Sequence, residues 1–420
     1  MRLRNRRNDE PAAAVHAGGG RGSSFTATDE SHRVTTLELL FDLVFVFAVT
    51  SITGFMSHKL TAVGLCEGLV IAALMWFGWT AYAWLGNQAR ADEGLLRVSM
   101  LFAMAAFFIV ALTIPEAFDD RPGGLSGPAV FVIAYSVVRL AHLAVYTFAA
   151  GDDAELRRTV RQAFVVTLPA LLLLGVGVVC EERWRLVLWA AAVVTDYVGI
   201  FVSGSSGWRV PAPGHFAERH QLVVIIAIGE SIVGAGLGVD QAPVTWSLLL
   251  GAVLGIAVSI TLWWTYFDVV ALVAERTLTR LRGDDRTRLA RDTFTYLHMP
   301  VVVGIIYLAL GTKVVLTQVA AVAGGAHAEF SGAALFALYG GAALYLLAMS
   351  AIRWRDIGSP NLARLVVAAL LIAVGAAAEA ARLTGLVNLG SVATVMVGLV
   401  GYETMRHNET REAIRRAAEV

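Results

Sequence analysis

Lysine is almost missing from this 420-residue chain: Lys59 and Lys313 are the only two, and every other basic residue apart from histidine is arginine. The skew reads as a genomic bias. Cysteine is equally scarce, with Cys66 and Cys180 alone. Two distant thiols exclude a disulfide-built scaffold and any CxxC redox or zinc motif. Both fall near the outer ends of apolar segments, where a disulfide is geometrically conceivable and two isolated buried thiols are the expected arrangement. Charge is low as well: Asp, Glu, Lys and Arg make up 16% of the chain, against roughly a quarter in soluble domains. The formal net charge is +0 at pH 7, so no nucleic-acid partner is implied. No Walker loop, nucleophile elbow, zincin pattern or His/Cys cluster occurs. The sequence therefore assigns no catalytic residue, no cofactor and no metal ligand set.

What is abundant is long apolar sequence. The chain is 57% hydrophobic with a mean hydropathy of +0.66. Apolar segments long enough to span a bilayer lie near 35–57, 62–85, 95–115, 128–149, 161–180, 186–204, 217–238, 246–270, 293–316, 330–351, 362–381 and 386–403. The predicted fold is thus an all-α polytopic membrane protein of about twelve transmembrane helices, with the lipid bilayer as its first partner. The connections test that count. With a cytosolic N-terminus, 26 basic residues fall on the inner side, 6 on the outer side, and Arg139 lies within a span. Such a split is the positive-inside asymmetry of twelve spans with both termini cytosolic; omitting one span would invert everything after it. The expected organisation is a disordered basic cytosolic tail (1–34), a first six-helix unit (35–204), a cytosolic linker (205–216), a second six-helix unit (217–403) and a cytosolic tail (404–420). Residues 1–34 lack the apolar core of a signal peptide. The largest inner connection, Arg276–Arg291, predicts a basic interfacial helix or turn.

Ionisable residues inside these segments are the candidates for function, because a carboxylate at membrane depth costs at least ~2.5 kcal/mol unless it meets a cavity or a partner. Span 1 carries Glu38 and Asp42, four apart on one helix face. Span 7 and its lead-in carry His215, Glu218, Arg219 and His220, expected at the cytosolic entry. Glu230 follows thirteen residues beyond Ala217, about 20 Å into the bilayer. It needs a partner, a wet path or a proton. Gly234 and Gly238 beside it permit close helix approach. Span 4 aligns Tyr135, Arg139 and His142. A guanidinium at that depth requires a carboxylate, and Asp196 on span 6 is the nearest candidate, with Asp42 and Glu230 as alternatives. In span 9, Pro300 frees the Tyr296 carbonyl beside His298. Glu67, Asp268, Glu379 and Glu403 lie nearer span ends and are read as interfacial, and the tryptophans, Trp79 among them, as packing or interface anchors.

The two halves overlay at an offset of roughly 180–185 residues. Trp79–Thr80 matches Trp264–Thr265, and Glu38 matches Glu218. Six spans per half give parallel repeats, whose interface is the usual site of function. Spans 1 and 7 are the natural pair there.

Three stretches carry a family resemblance: VTTLELLFDLVFVFAVTSIT at 34–53, HFAERHQLVVIIAIGESIVGAG at 215–236 and HMPVVVGIIYLALG at 298–311. They resemble the bacterial low temperature requirement A (LtrA) family over roughly 34–405. The resemblance implies a multi-pass protein of the bacterial plasma membrane. Separately, Phe41, Asp42, Val44, Phe45, Ala48 and Thr50 in FDLVFVFAVT are similar to the pore-lining helix of the endosomal and lysosomal potassium channel family, although no serine precedes the acid and IIAIGESIVG in span 7 is not a second copy.

The functional expectation is a cation- or proton-linked channel or transporter. Glu38, Asp42, Glu218, His220 and Glu230 would line its path, with Arg139, His142, Asp196 and His298 as supporting buried charges. Its partners would be a small cation or proton, and a second copy of the chain as a homodimer. The alternatives are a membrane-embedded enzyme acting on a lipid or isoprenoid, with Glu218, His220, His298 and Asp268 converging, or a sensor or scaffold whose buried charges serve packing alone.

Overall fold

The computed structural model describes residues 28, 30, 32–203, 207–237, 243–323, 330 and 332–406. The two terminal tails therefore lie almost wholly outside the described residues, as do Gly238 and residues 205 and 206 of the linker. Twelve long helices are present. They are α1 Thr36–His58, α2 Ala62–Gln88, α3 Gly94–Thr113, α4 Gly127–Ala149, α5 Ala154–Val178, α6 Glu182–Ser203 and α7 Pro213–Leu237. After them come α8 Trp246–Arg280, α9 Gly283–Val322, α10 Gly332–Ile357, α11 Leu362–Ala381 and α12 Gly385–Arg406. All but α7 meet the length and apolarity needed to cross a membrane, eleven in total among the described residues. The basic connection 276–291 closes α8, turns at Leu281 and Arg282, and opens α9.

Local chemistry sets the helix starts. Thr35 caps α1: its hydroxyl accepts the Glu38 N–H, and Glu38 Oε2 accepts the Thr35 N–H at 2.9 Å. At α2, α5, α8 and α11 the side chains of Thr61, Asp153, Thr245 and Asn361 accept first-turn backbone N–H groups. Three π-helical turns interrupt the second half, at Tyr266–Val270, Ala290–Leu297 and Phe336–Gly340.

Burial sorts the helices into layers. In the most apolar stretch of α2 and of α9, 78% of residues are buried, against 22% in α6 and α11. Helices α2 and α9 are therefore the central posts, and α6 and α11 turn apolar side chains such as Val194, Phe201, Val366 and Ile372 outward. Helices α9 and α10 cross at backbone contact. A Cβ on Gly341 would lie 2.5 Å from the Leu308 nitrogen, and one on Gly304 would lie 2.7 Å from the Tyr345 nitrogen.

Seven pairings of the first six helices recur six helices later. Helix α1 packs on α2 and α3, as α7 packs on α8 and α9. The successive contacts α3–α4, α4–α5 and α5–α6 return as α9–α10, α10–α11 and α11–α12; α2–α4 and α2–α6 return as α8–α10 and α8–α12. Between the halves, α1 and α7 lie against each other.

Several placements differ from the expectation. Cys66 and Cys180 are free thiols, yet Cys66 is exposed and Cys180 half-buried, because both sit at helix ends outside the packed interior. Glu67, near the start of α2, is fully buried and bridged to Lys59 at 2.8 Å. Glu403 receives a two-pronged contact from the buried Arg364, 2.9 Å on each oxygen.

Candidate functional site

The α1–α7 seam holds the densest set of buried charges. Arg219 of α7 has no solvent exposure and donates to two acids of α1: Nη1 to Glu38 Oε1 and Nη2 to Asp42 Oδ1, each at 2.8 Å. The register explains the fork. Glu38 and Asp42 are one turn apart on a single face, and a planar guanidinium reaches both from across the seam. His215, one turn before Arg219, places Nε2 3.0 Å from Glu38 Oε1. Asn87 of α2 donates to the Ala212 carbonyl at 2.6 Å and lies 3.2 Å from His215 Nδ1. That contact makes Nδ1 the acceptor and directs the Nε2–H toward Glu38. Trp79 of α2 donates its indole N–H to Asp42 Oδ1 at 2.8 Å and sets its ring 5.5 Å from the Arg219 guanidinium carbon. Asp42 Oδ2 has no partner among the described residues.

Farther along the same seam, Glu230 is buried against two hydroxyls of α1. Thr53 lies 2.7 Å from Oε1, and Thr50 meets Oε2. Eleven residues separate Arg219 from Glu230, about 16 Å of helix rise. The intervening side chains Phe45, Val49, Val223, Val224 and Ala227 are packed and buried. Asp42 and Glu230 are thus two separate loci on one interface, and neither Glu38 nor His220 stands at an open mouth. Glu218 is half-buried and accepts the Val34 N–H at 3.4 Å.

His220 is enclosed by rings: Phe216, Trp79, Phe294 and His298 have centroids 4.6, 5.1, 5.3 and 5.6 Å away. Its Nδ1 faces the Phe216 carbonyl at 2.8 Å. His298, two residues before Pro300, has Nδ1 on the Thr293 carbonyl and Nε2 on the Tyr266 hydroxyl, both at 2.8 Å. Two π-helical turns, those holding Tyr266 and Thr293, shape that contact. Asp268 lies apart from it, beside Arg364 and Glu403 in a cavity of about 190 Å³. The four residues of the enzyme alternative are therefore distributed over different surroundings: His220 and His298 meet, and Glu218 and Asp268 stay elsewhere.

Arg139 takes Asp196 as its carboxylate, at 2.6 and 3.2 Å, and adds Tyr135 at 3.0 Å and Thr167 at 3.1 Å. Asp42 and Glu230, the alternatives, are engaged at the seam. His142, one turn on, is buried between Tyr82 and Tyr146. Arg139 and His142 border a cavity of about 90 Å³ that Phe77, Trp84 and Trp208 also line.

One group suits a metal by composition. His32, Glu38 and His215 offer ligand atoms within 4.8 Å of one another, a two-histidine, one-carboxylate set. The hydrogen bonding opposes it: Glu38 Oε1 already takes the Arg219 cation, and His215 Nε2 carries its proton toward that same oxygen. Burial and the neighbouring His215 hold the His32 imidazole below the usual histidine range.

Sequence reasoning missed two contributors. Arg219 counts as an inner-loop charge in the positive-inside balance, although its i, i+4 spacing from His215 put it on the correct face. Trp79 reads as packing, and nothing in its own helix signals an acid across the interface.

The fold and the seam define a polytopic α-helical membrane protein with a buried ionic cluster between two of its helices. The profile of the family described as bacterial low temperature requirement A protein (LtrA) matches residues 33–401, and the chain belongs to that family. Among curated proteins, one from Rhizobium meliloti (strain 1021), described as uncharacterized protein RA0937, is 28% identical over 296 residues, 65% of this chain and 67% of the relative. No solved structure matches.

Proposed function

We propose that this chain is an ion-linked transporter or channel of the bacterial plasma membrane whose path follows the α1–α7 seam. Both termini are cytosolic in this reading. The two six-helix halves are parallel repeats, supported by the seven helix pairings that return six helices later, and α1 and α7 meet where such repeats hold their sites. One observation carries the reading. Two fully buried carboxylates, Glu38 and Asp42, share one obligatory cation, Arg219, so the cluster is one positive charge short. Membrane interiors tolerate such an imbalance poorly, and acids left unbalanced there belong to ion and proton paths. Glu230 supplies a second acid farther along the seam.

The test is ion flux in proteoliposomes made with the full chain, driven by proton, sodium and potassium gradients in turn. Wild-type protein is expected to pass one ion, with flux reduced at least tenfold by Asp42→Asn and by Glu230→Gln. Unchanged flux in both variants, or none in wild type under any gradient, contradicts the reading. A second reading draws on a specific observation: Arg139 and Arg219 each pair with buried acids, and the buried Arg364 pairs with the half-buried Glu403. In a scaffold or sensor these pairs would fix helix packing alone, and Asp42→Asn would lower folded yield with no flux to lose.

A further inference from the structure

We propose that the missing positive charge at the seam is a proton held on Asp42 Oδ2, and that metal cations are excluded from this locus. The inference rests on the ion-linked reading above and names its ion. Each oxygen of the cluster can be accounted for. Glu38 Oε1 accepts from Arg219 and His215, and Oε2 accepts from the Thr35 backbone N–H and lies 3.0 Å from its hydroxyl. Asp42 Oδ1 accepts from Trp79 and Arg219. That leaves Asp42 Oδ2, buried and without a partner among the described residues.

A metal ion needs several oxygen ligands at once; hard cations take six or more. Here it would find one free oxygen, ringed by N–H donors whose positive ends repel it. A proton needs a single lone pair. Once bound, it makes Asp42 a neutral acid, leaves Glu38 and Arg219 as a balanced pair and removes the uncompensated charge from the interior. The charged groups facing Asp42 are Arg219 from α7 and Glu38 from its own helix. From α2 comes the Trp79 N–H. On α9, His298 is turned to Tyr266 and Thr293.

The second locus is built for the same ion. Thr50 and Thr53 can each direct their hydroxyl proton to Glu230, or back to helix carbonyls at 3.2 Å (Val46) and at 2.9 and 3.2 Å (Thr50 and Val49). Hydroxyls aimed at Glu230 stabilise its ionised form. Neutral Glu230 has one O–H: the hydroxyl facing it turns back to the helix and accepts, while the other hydroxyl still donates to the remaining oxygen. Glu230 can therefore gain or lose a proton with one hydroxyl rotation and no backbone movement.

The experiment is infrared spectroscopy of the full chain in nanodiscs at neutral pH, with aspartate carboxyl groups carbon-13 labelled in the otherwise wild-type protein. A neutral carboxylic acid band that moves with aspartate labelling is expected, unchanged by added sodium or potassium chloride. The same band should be lost in Asp42→Asn and kept in Glu38→Gln. Absence of any aspartate-labelled neutral acid band overturns the proposal, as does a band that vanishes on adding either salt. Where Asp42→Asn does not fold, a labelled wild type without the band still overturns the proposal. An ionised Asp42 in flux-competent vesicles refutes the proton seat and spares the ion-linked reading. A neutral Asp42 in a chain that passes no ion supports the seat and refutes that reading.

Discussion

Replacing Arg219 with methionine removes the cation and leaves most of its volume filled, so the loss is electrostatic. With Asp42 neutral, Arg219 pairs with the ionised Glu38, Nη1 lying 2.8 Å from Oε1. At an effective dielectric of about 20, opposite charges about 4 Å apart attract by about 4 kcal/mol. Removing one partner of a buried ion pair costs about 3–5 kcal/mol in general, which brackets that figure. Arg219→Met should therefore destabilise the protein by about 3–5 kcal/mol, more than a hundredfold in the folding equilibrium. Adding Glu38→Gln to Arg219→Met removes the stranded carboxylate and should restore about 2–3 kcal/mol, so the two changes couple strongly. The assay is reversible unfolding in mixed micelles followed by tryptophan fluorescence, on wild type, both single variants and the double variant. An Arg219→Met protein within about 0.5 kcal/mol of wild type, a margin typical of substitutions away from such features, would refute the reasoning. So would a double variant no more stable than Arg219→Met.

Three further outcomes follow from the packing. Asp196→Asn should cost about 3–5 kcal/mol by stranding Arg139, whereas Arg139→Leu with Asp196→Leu should be near neutral or stabilising, measured by thermal unfolding. Gly341→Ala should cost about 1–3 kcal/mol by forcing α10 off α9, and a variant as stable as wild type in the same melt would show that the crossing relaxes. His32 is held below its ordinary value near 6.5, so the undocked segment binds a proton first as pH falls. Docking of the segment around His32 should be constant above about pH 6.5 and weaken progressively below it. Hydrogen exchange of residues 32–35 across that range checks the sign, and His32→Gln should flatten the dependence.

The helices were legible because bilayer-spanning segments announce themselves by length, and all twelve apolar segments are helical. The Arg139–Asp196 pair was legible for a different reason: a guanidinium at that depth admits few solutions, and Asp196 was the acid at matching depth. The α1–α7 pairing followed from the acids they carry. Arg219 was obscured because inner-side charges are counted without regard to burial, and a single helix face does not disclose what stands opposite. The π-helical turns at 266–270 and 290–297, which hold the Tyr266 and Thr293 partners of His298, left no mark in composition. The apolar septum between Asp42 and Glu230 is a tertiary fact: Phe45 and Val49 read as a continuous stripe until Val223 and Ala227 close over it.

The proposed path along the α1–α7 seam requires this septum to open. Thiol accessibility tests it most directly, with Cys66 and Cys180 replaced by serine and single cysteines introduced as Val49→Cys, Val223→Cys and, as an accessible reference, Glu218→Cys. In membranes, a small water-soluble thiol reagent should modify the two septum positions at a measurable rate, slower than the reference, and Asp42→Asn should slow them at least tenfold while leaving the reference unchanged. Modification of the reference with none at either septum position after exhaustive reaction would contradict the claim and leave the seam a closed structural lock.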